Sequence, residues 1–279
     1  MAYKSLLTVL TDPKLTSSAL PHMVALAEAQ DAHVEALCLG VDRTQTGYYY
    51  AGANAMILQE TLSRANAESE QILAAAKEQL DKSGVRWSAE DGVAQIADLG
   101  RHVAHRARFS DLVVLPHPYG KGRGAEAEPI VEAAMFEGHA PVLITPEDRE
   151  PIGHPKTIMV AWNESVEAMR AIRRAMPFLK AAELVRIVVI DPPQHGPDRS
   201  DPGGLLSQML ARHGVRCEID VLSKTMTRVS DILNRHAADT DADMIVMGAY
   251  GHSRFREAIL GGATRNMLEK AQVPIFMAH

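Results

Sequence analysis

Hydrophobic and polar residues alternate along this chain in two rhythms. Short continuous apolar runs near residues 5–11, 33–40, 84–88, 111–115 and 141–145 are separated by stretches whose apolar positions recur every three or four residues. The same succession returns near 156–162, 185–190, 215–222, 243–247 and 273–278. Short buried strands alternating with amphipathic helices predict βαβ units and a mostly parallel sheet covered on both faces. From Met56 to about Lys82, Leu58, Leu62, Ala65, Ile72, Ala76 and Leu80 mark one face of a long helix that ends near Gly84. Its counterpart near Leu205 to Arg212 is much shorter and follows the Gly- and Pro-rich stretch from Asp191 to Gly204.

The rhythm also repeats residue by residue. Lys4-Ser5-Leu6-Leu7-Thr8-Val9 aligns with Lys156-Thr157-Ile158-Met159-Val160-Ala161, and Asp111-Leu112-Val113-Val114-Leu115-Pro116 aligns with Asp243-Met244-Ile245-Val246-Met247-Gly248. A length of 279 residues allows one large domain or two medium ones. The internal repeat decides for two. The boundary is expected in the proline- and charge-rich stretch Pro146 to Pro155, giving domains 1–147 and 154–279.

Composition narrows the function classes. With 46% hydrophobic and 23% charged residues the chain can bury a core, and a net charge of -6 gives no global field for nucleic acid or an anionic membrane. No stretch approaches a membrane span and the N-terminus carries no signal-peptide pattern, so a cytoplasmic protein is expected. Cys38 and Cys217 each fall in an apolar run, which argues against a disulfide framework or a structural metal.

In open α/β sheets ligands bind beyond the carboxyl ends of the strands, and one such end stands out. The run 243–247 is followed by Gly248-Ala249-Tyr250-Gly251, then nine residues, then Gly261-Gly262-Ala263-Thr264-Arg265. Glycines let the backbone approach phosphate oxygens, and a helix starting after Gly261 aims its N–H groups and positive dipole end at them. Thr264 adds a hydroxyl. The competing reading is a tight turn with no ligand.

With this Gly-x2-Gly-x9-Gly spacing the chain resembles the universal stress protein family in its tandem two-domain form. The resemblance implies two Rossmann-like domains related to the adenine nucleotide alpha hydrolases, each with a five-stranded mostly parallel sheet and helices on both faces. It also implies ATP, with Mg2+ as its possible companion, held without a Walker loop. On that resemblance Gly248, Gly251, Gly261, Gly262 and Thr264 surround the phosphates, with Met247, Tyr250 and Ala263 beside them. Asn163 and Val189 lie near the adenosine. The family usually places Ser or Thr after the third glycine and an acidic residue after the first strand, where this chain has Gly262 and Asn163. Loss of one hydroxyl bond to a charged oxygen is worth roughly 1.5–3 kcal/mol. Asn163 can donate as well as accept. On this reading Gly248→Val with Gly261→Val abolishes ATP binding without unfolding the chain.

The first half lacks the pattern: Pro116 and Tyr119 stand where Gly248 and Gly251 stand. Gly120-Lys121-Gly122-Arg123-Gly124 then reads as a mobile solvated turn or a phosphate loop, the turn being preferred. A degenerate, mainly structural domain is expected there. Other candidate chemistry is thin. Gly251-His252-Ser253-Arg254-Phe255 misses the final glycine of a nucleophile elbow. His102 and His105 lack a third ligand, Tyr48-Tyr49-Tyr50 reads as packing, and Arg170, Arg173 and Arg174 read as a solvated helix face. Asp191 and His252 are the nearest acid–base candidates to the glycines, so little or no catalysis is expected. Three functions compete: a nucleotide-dependent stress-response regulator with unidentified protein partners, a slow ATPase, and a ligand-free pairing module. The apolar final strand of each half suits a homodimer or a pseudo-dimer within one chain.

Overall fold

The computed structural model describes residues 2–43, 54–120, 122–147, 149–192, 201–249 and 262–279. Its contacts divide the chain into two compact units, one of Tyr3–Pro116 with Gly122–Ala140, the other of Met1–Ala2, His117–Lys121 and Pro141–His279.

In the first unit, strands β1 (Ser5–Leu10), β2 (His33–Asp42), β3 (Arg86–Gln95) and β4 (Leu112–Pro116) lie in the order β3-β2-β1-β4, all parallel. Helices α1 (Leu15–Gln30), α2 (Asn54–Leu80) and α3 (Ile96–Ala107) are the crossovers. Helix α4 (Ala127–Glu132) runs on into a π-helical turn, Ala133–Glu137. The central strands β1 and β4 are buried almost throughout because helices cover both faces, which is why their sequences are unbroken apolar runs. The edge strand β3 is mostly exposed and polar, and it runs to Gln95, well past the 84–88 expected. Ten residues of β2 hold it in register, from His33 opposite Arg86 to Asp42 opposite Gln95. Backbone pairing outweighs an unpromising side-chain pattern there.

Helix α2 buries Ala65, Ser69, Ile72, Ala76 and Leu80, while the expected face residue Leu62 is 37% exposed. The helix presses so closely on β2 that a Cβ at Gly40 would stand 1.8 Å from the Ala65 carbonyl oxygen.

The second unit orders its strands β5-β10-β9-β6-β7-β8. Here β6 is Thr157–Trp162, β7 Leu184–Ile190, β8 Cys217–Leu222, β9 Met244–Gly248 and β10 Ile275–Ala278. All these pair in parallel except β5 (Val142–Thr145), which runs antiparallel to β10 with Phe276 opposite Leu143. Helices α5 (Val166–Arg174), α6 (Met176–Ala181), α7 (Gly204–Arg212), α8 (Val229–Asp239) and α9 (Ala263–Lys270) accompany them. Phe178 of α6 meets Phe276 of β10 edge to face at 6.0 Å, a central contact of this core.

Among the described residues each half of the sequence supplies five strands, and the architecture is the mostly parallel, Rossmann-like α/β arrangement expected. The repeat is written into the backbone hydrogen bonds. Asp111 Oδ2 accepts from the amides of Lys4 and Ser5 at 2.7 and 3.0 Å. Asp243 Oδ2 accepts from those of Lys156 and Thr157 at 2.8 and 2.9 Å. The aspartates that aligned in sequence make the same clamp on the amino end of the same strand.

Candidate functional site

Strands β7 and β8 extend from one side of β6, whereas β9 and β10 lie on the other, so the strand order reverses between β6 and β9. The register brings Ala161 opposite Met247 and Trp162 opposite Val189. The next residues, Asn163 after β6 and Asp191 after β7, therefore leave the sheet at the same carboxyl edge as Gly248. This is the crevice where open α/β sheets take their ligands.

Asn163 is exposed, and its Oδ1 accepts from the Ser165 amide at 3.3 Å. The turn carries Glu164 at φ 61°, and Asp191 stands at φ 50°, both in the left-handed region that non-glycine residues seldom occupy. Ser165 then caps α5, its hydroxyl accepting from Ala168 N at 3.1 Å. Glu164 and Ser165 were not among the residues that the sequence singled out. An Asn-Glu-Ser ahead of a helical pattern was nonetheless a readable helix-start signal.

Gly248 owes its glycine to this helix. A Cβ there would stand 2.4 Å from Ala168 N and 2.7 Å from the Glu167 carbonyl carbon, both backbone. The first turn of α5 rests directly on the end of β9. Gly248→Val is thus a packing lesion, and the expectation that it would spare the fold while removing a ligand is corrected on this ground.

Val189 and Met247 are 5% and 7% exposed and can serve only as apolar wall. Gly262 is the N-cap of α9, its carbonyl accepting from both the amide and the Nδ2 of Asn266 at 3.1 Å. No side chain caps this helix, Ala263 is exposed, and Thr264 is buried. A helix does begin just after Gly261, as expected. Tyr250, Gly251 and Gly261 lie outside the described residues, as do His252, the Ser253 to Ile259 segment and Tyr48 to Tyr50.

At the corresponding strand ends in the first half of the sequence the chemistry differs. Gly120 and Gly122 have φ of 127° and 83°, which suits a turn. Gly124 faces the buried carboxylate of Glu126, whose oxygens would lie 2.3 to 2.4 Å from a Cβ on it. Arg43, just past β2, donates from Nη2 to Glu126 Oε1 at 2.6 Å. This carboxylate and then burial are the main influences on Arg43, with a net upward shift of its pKa. The Arg43 guanidinium is thus already engaged by a carboxylate.

The remaining candidates are placed without a shared site. His102 and His105 are exposed on α3, with His105 edge-on to Phe109 at 5.9 Å. Arg170, Arg173 and Arg174 are exposed on α5. Cys38 is buried, its thiol pushed up to about 12 by desolvation, whereas Cys217 is half-buried beside Ser207. Among the described residues no cluster of His, Cys, Asp or Glu suits a metal ion, and no helix is long and apolar enough to cross a membrane.

Residues 154–279 match the profile of the Universal stress protein family. A universal stress protein of Synechocystis is 24% identical over 153 residues, a match spanning 54% of this chain and 50% of that relative. The chain thus covers about half the length of that relative. Among solved structures, a universal stress protein from Archaeoglobus fulgidus superposes with a TM-score of 0.70 at 13% identity, over 98% of this chain and 96% of its own. A functionally unknown protein from Pseudomonas aeruginosa does so with a TM-score of 0.58 at 14% identity, over 99% and 92%. At such identities these two likenesses speak for the fold.

Proposed function

We propose, from the premise that the chain belongs to the universal stress protein family through residues 154–279, that it binds an adenine nucleotide, ATP, at the carboxyl ends of β6, β7 and β9. The observation that carries this reading is the register that sets Asn163 beside Gly248 where the strand order reverses.

The residues suit the ligand's parts. Asn163, exposed and amphoteric in hydrogen bonding, takes a sugar hydroxyl, and buried Val189 and Met247 form an apolar wall for the base. The Gly262 and Ala263 amides and the Thr264 hydroxyl sit at the start of α9, where an anion is favoured. Tyr250, Gly251 and Gly261 complete the phosphate segment. Mg2+ would accompany the phosphates as counter-ion.

Asp191, Glu164 and His279, whose Nδ1 lies 3.0 Å from the Ala249 carbonyl, are the titratable groups near this edge among the described residues, and on this reading the bound nucleotide acts as a regulatory ligand with little or no turnover. The first half, 1–147, is then the structural copy and 154–279 the binding copy. The protein works in the cytoplasm, and its nucleotide state is read by protein partners. The antiparallel pairing of β5 with β10 supports a pseudo-dimer within one chain, and it favours a second reading as a ligand-free pairing module.

Isothermal titration with MgATP tests the two. One site per chain with micromolar affinity, weakened about tenfold by Asn163→Ala, is expected, since a lost hydrogen bond to a ligand costs on the order of 1 kcal/mol or more. Folded protein that takes up no MgATP selects the pairing module.

A further inference from the structure

We infer that Val221 and Leu205 form an apolar rim that takes the far edge of the nucleotide's base, and that this rim makes the site choose purines over pyrimidines. The inference rests on the nucleotide reading above and adds to it one residue of β8 and one of α7.

Strand β8 is the edge of the sheet on this side. Its register sets Val221 directly opposite Val189, one residue short of the carboxyl edge, where the Asp191 amide donates to the Leu222 carbonyl at 2.9 Å. Side chains alternate along a strand, so Val221 shares a face with Ile219. Helix α7 starts on that face: a Cβ at its N-cap Gly203 would lie 3.5 Å from Val189 Cγ2 and 3.7 Å from Ile219 Cγ2. The helix then runs away from the edge, since Ser207 Oγ stands 3.4 Å from Cys217 Sγ at the start of β8. Its N-terminus is therefore the end that borders the ligand crevice. There Leu206 turns into the core and Leu205 is left outside.

Leu205 is 74% exposed and Val221 52%. Single apolar side chains are common on any surface and need no partner. These two, however, both flank Val189, the apolar wall of the site, one through strand register and one through the start of α7. A flat apolar ligand lying against that wall covers side chains that otherwise stay in water, which is where apolar burial gains free energy. Neighbouring strands lie about 4.8 Å apart, so a sugar held by Asn163 after β6 and a side chain on β8 are about 10 Å apart across β7. The fused rings of a purine reach across β7 to that rim, whereas the single ring of a pyrimidine stops short of it.

The test is isothermal titration of the full-length protein with MgATP and with MgUTP, using wild type, Leu205→Gln, Val221→Thr, the double variant and Asn163→Ala. Both rim positions are exposed, glutamine keeps the helix propensity and threonine keeps the β-branched shape, so these variants are expected to fold. Wild type should bind ATP about tenfold or more tightly than UTP, the discrimination that an apolar pocket gives to the larger of two ligands. Each rim variant should lower ATP affinity about threefold and the double variant about tenfold, with UTP unchanged, because only the purine covers the rim. Asn163→Ala should weaken both nucleotides alike, as a sugar contact does. Equal affinity of wild type for ATP and UTP overturns the inference, and so does a double variant that keeps the wild-type ratio; in both cases the nucleotide site stands. A kept ratio together with altered sedimentation of the double variant gives the rim to a second copy of the chain instead. Wild type that binds neither nucleotide removes this inference together with the nucleotide reading.

Discussion

The two copies of the repeat agree at the amino ends of their strands and differ at the carboxyl ends. Asp111 and Asp243 clamp the first two amides of β1 and β6 with nearly equal distances. At the other end, one copy closes on buried Glu126 paired with the exposed Arg43, whereas the other presents Asn163, the capped start of α5 and the glycine start of α9. The outer strands show the same freedom, with an acid on β2 in one copy and an arginine on β7 in the other. Arg106 of α3 reaches Glu35 of β2 and Glu90 of β3, whereas Arg186 of β7 reaches Asp220 of β8, which also accepts His236 of α8. Interactions that set strand register are kept because every strand depends on them. Surface pairs and strand-end loops are replaceable, since a solvated or locally satisfied pair contributes little to the fold.

That contrast can be broken most severely at two glycines. Gly40→Ala and Gly248→Ala each push a methyl into helix backbone, at 1.8 Å from the Ala65 oxygen and 2.4 Å from the Ala168 nitrogen. Each should cost about 3 kcal/mol or more in urea unfolding, because backbone cannot rotate away. A loss under about 1 kcal/mol at either site would mean that its helix can shift, and that the two copies pack by different rules.

The shared clamp is the next test. Asp111→Ala and Asp243→Ala each strip a carboxylate from two backbone amides and should cost about 1–3 kcal/mol, by closely similar amounts. One neutral and one severe result would show that the matching geometry hides different energetics in the two copies.

The mildest comparison concerns the cysteines, one in each copy. Burial holds the Cys38 thiol protonated, with its pKa near 12, so a thiol reagent at mildly alkaline pH should label half-buried Cys217 first. Folded wild type should show a single accessible thiol that disappears in Cys217→Ser. Rapid labelling of Cys38 would mean that α2 opens over β2 far more readily than its packing on Gly40 implies.

Much of this was legible in the order of residues. Buried parallel strands cannot hide polar side chains, so β1, β4, β6 and β9 announce themselves as apolar runs. The aspartates of the two clamps could be paired by alignment alone. The glycine spacing likewise marked the start of α9 correctly. Strand β3 was not legible beyond its first residues, because an edge strand is held by backbone pairing that leaves no apolar trace. The packing of α5 on Gly248 was not legible, since a glycine needed under a helix leaves the same trace as one needed near a phosphate.

The sequence by itself determined the repeated α/β architecture and the absence of a global basic field. These follow from periodicity, composition and local backbone freedom, which neighbouring residues decide among themselves. Only the tertiary structure decided that Glu126 meets Arg43 across 83 positions, that β5 runs antiparallel to β10, and that Tyr119 lies under Arg265. Such pairings depend on where strands and helices bring distant side chains in space, and no local pattern records that distance.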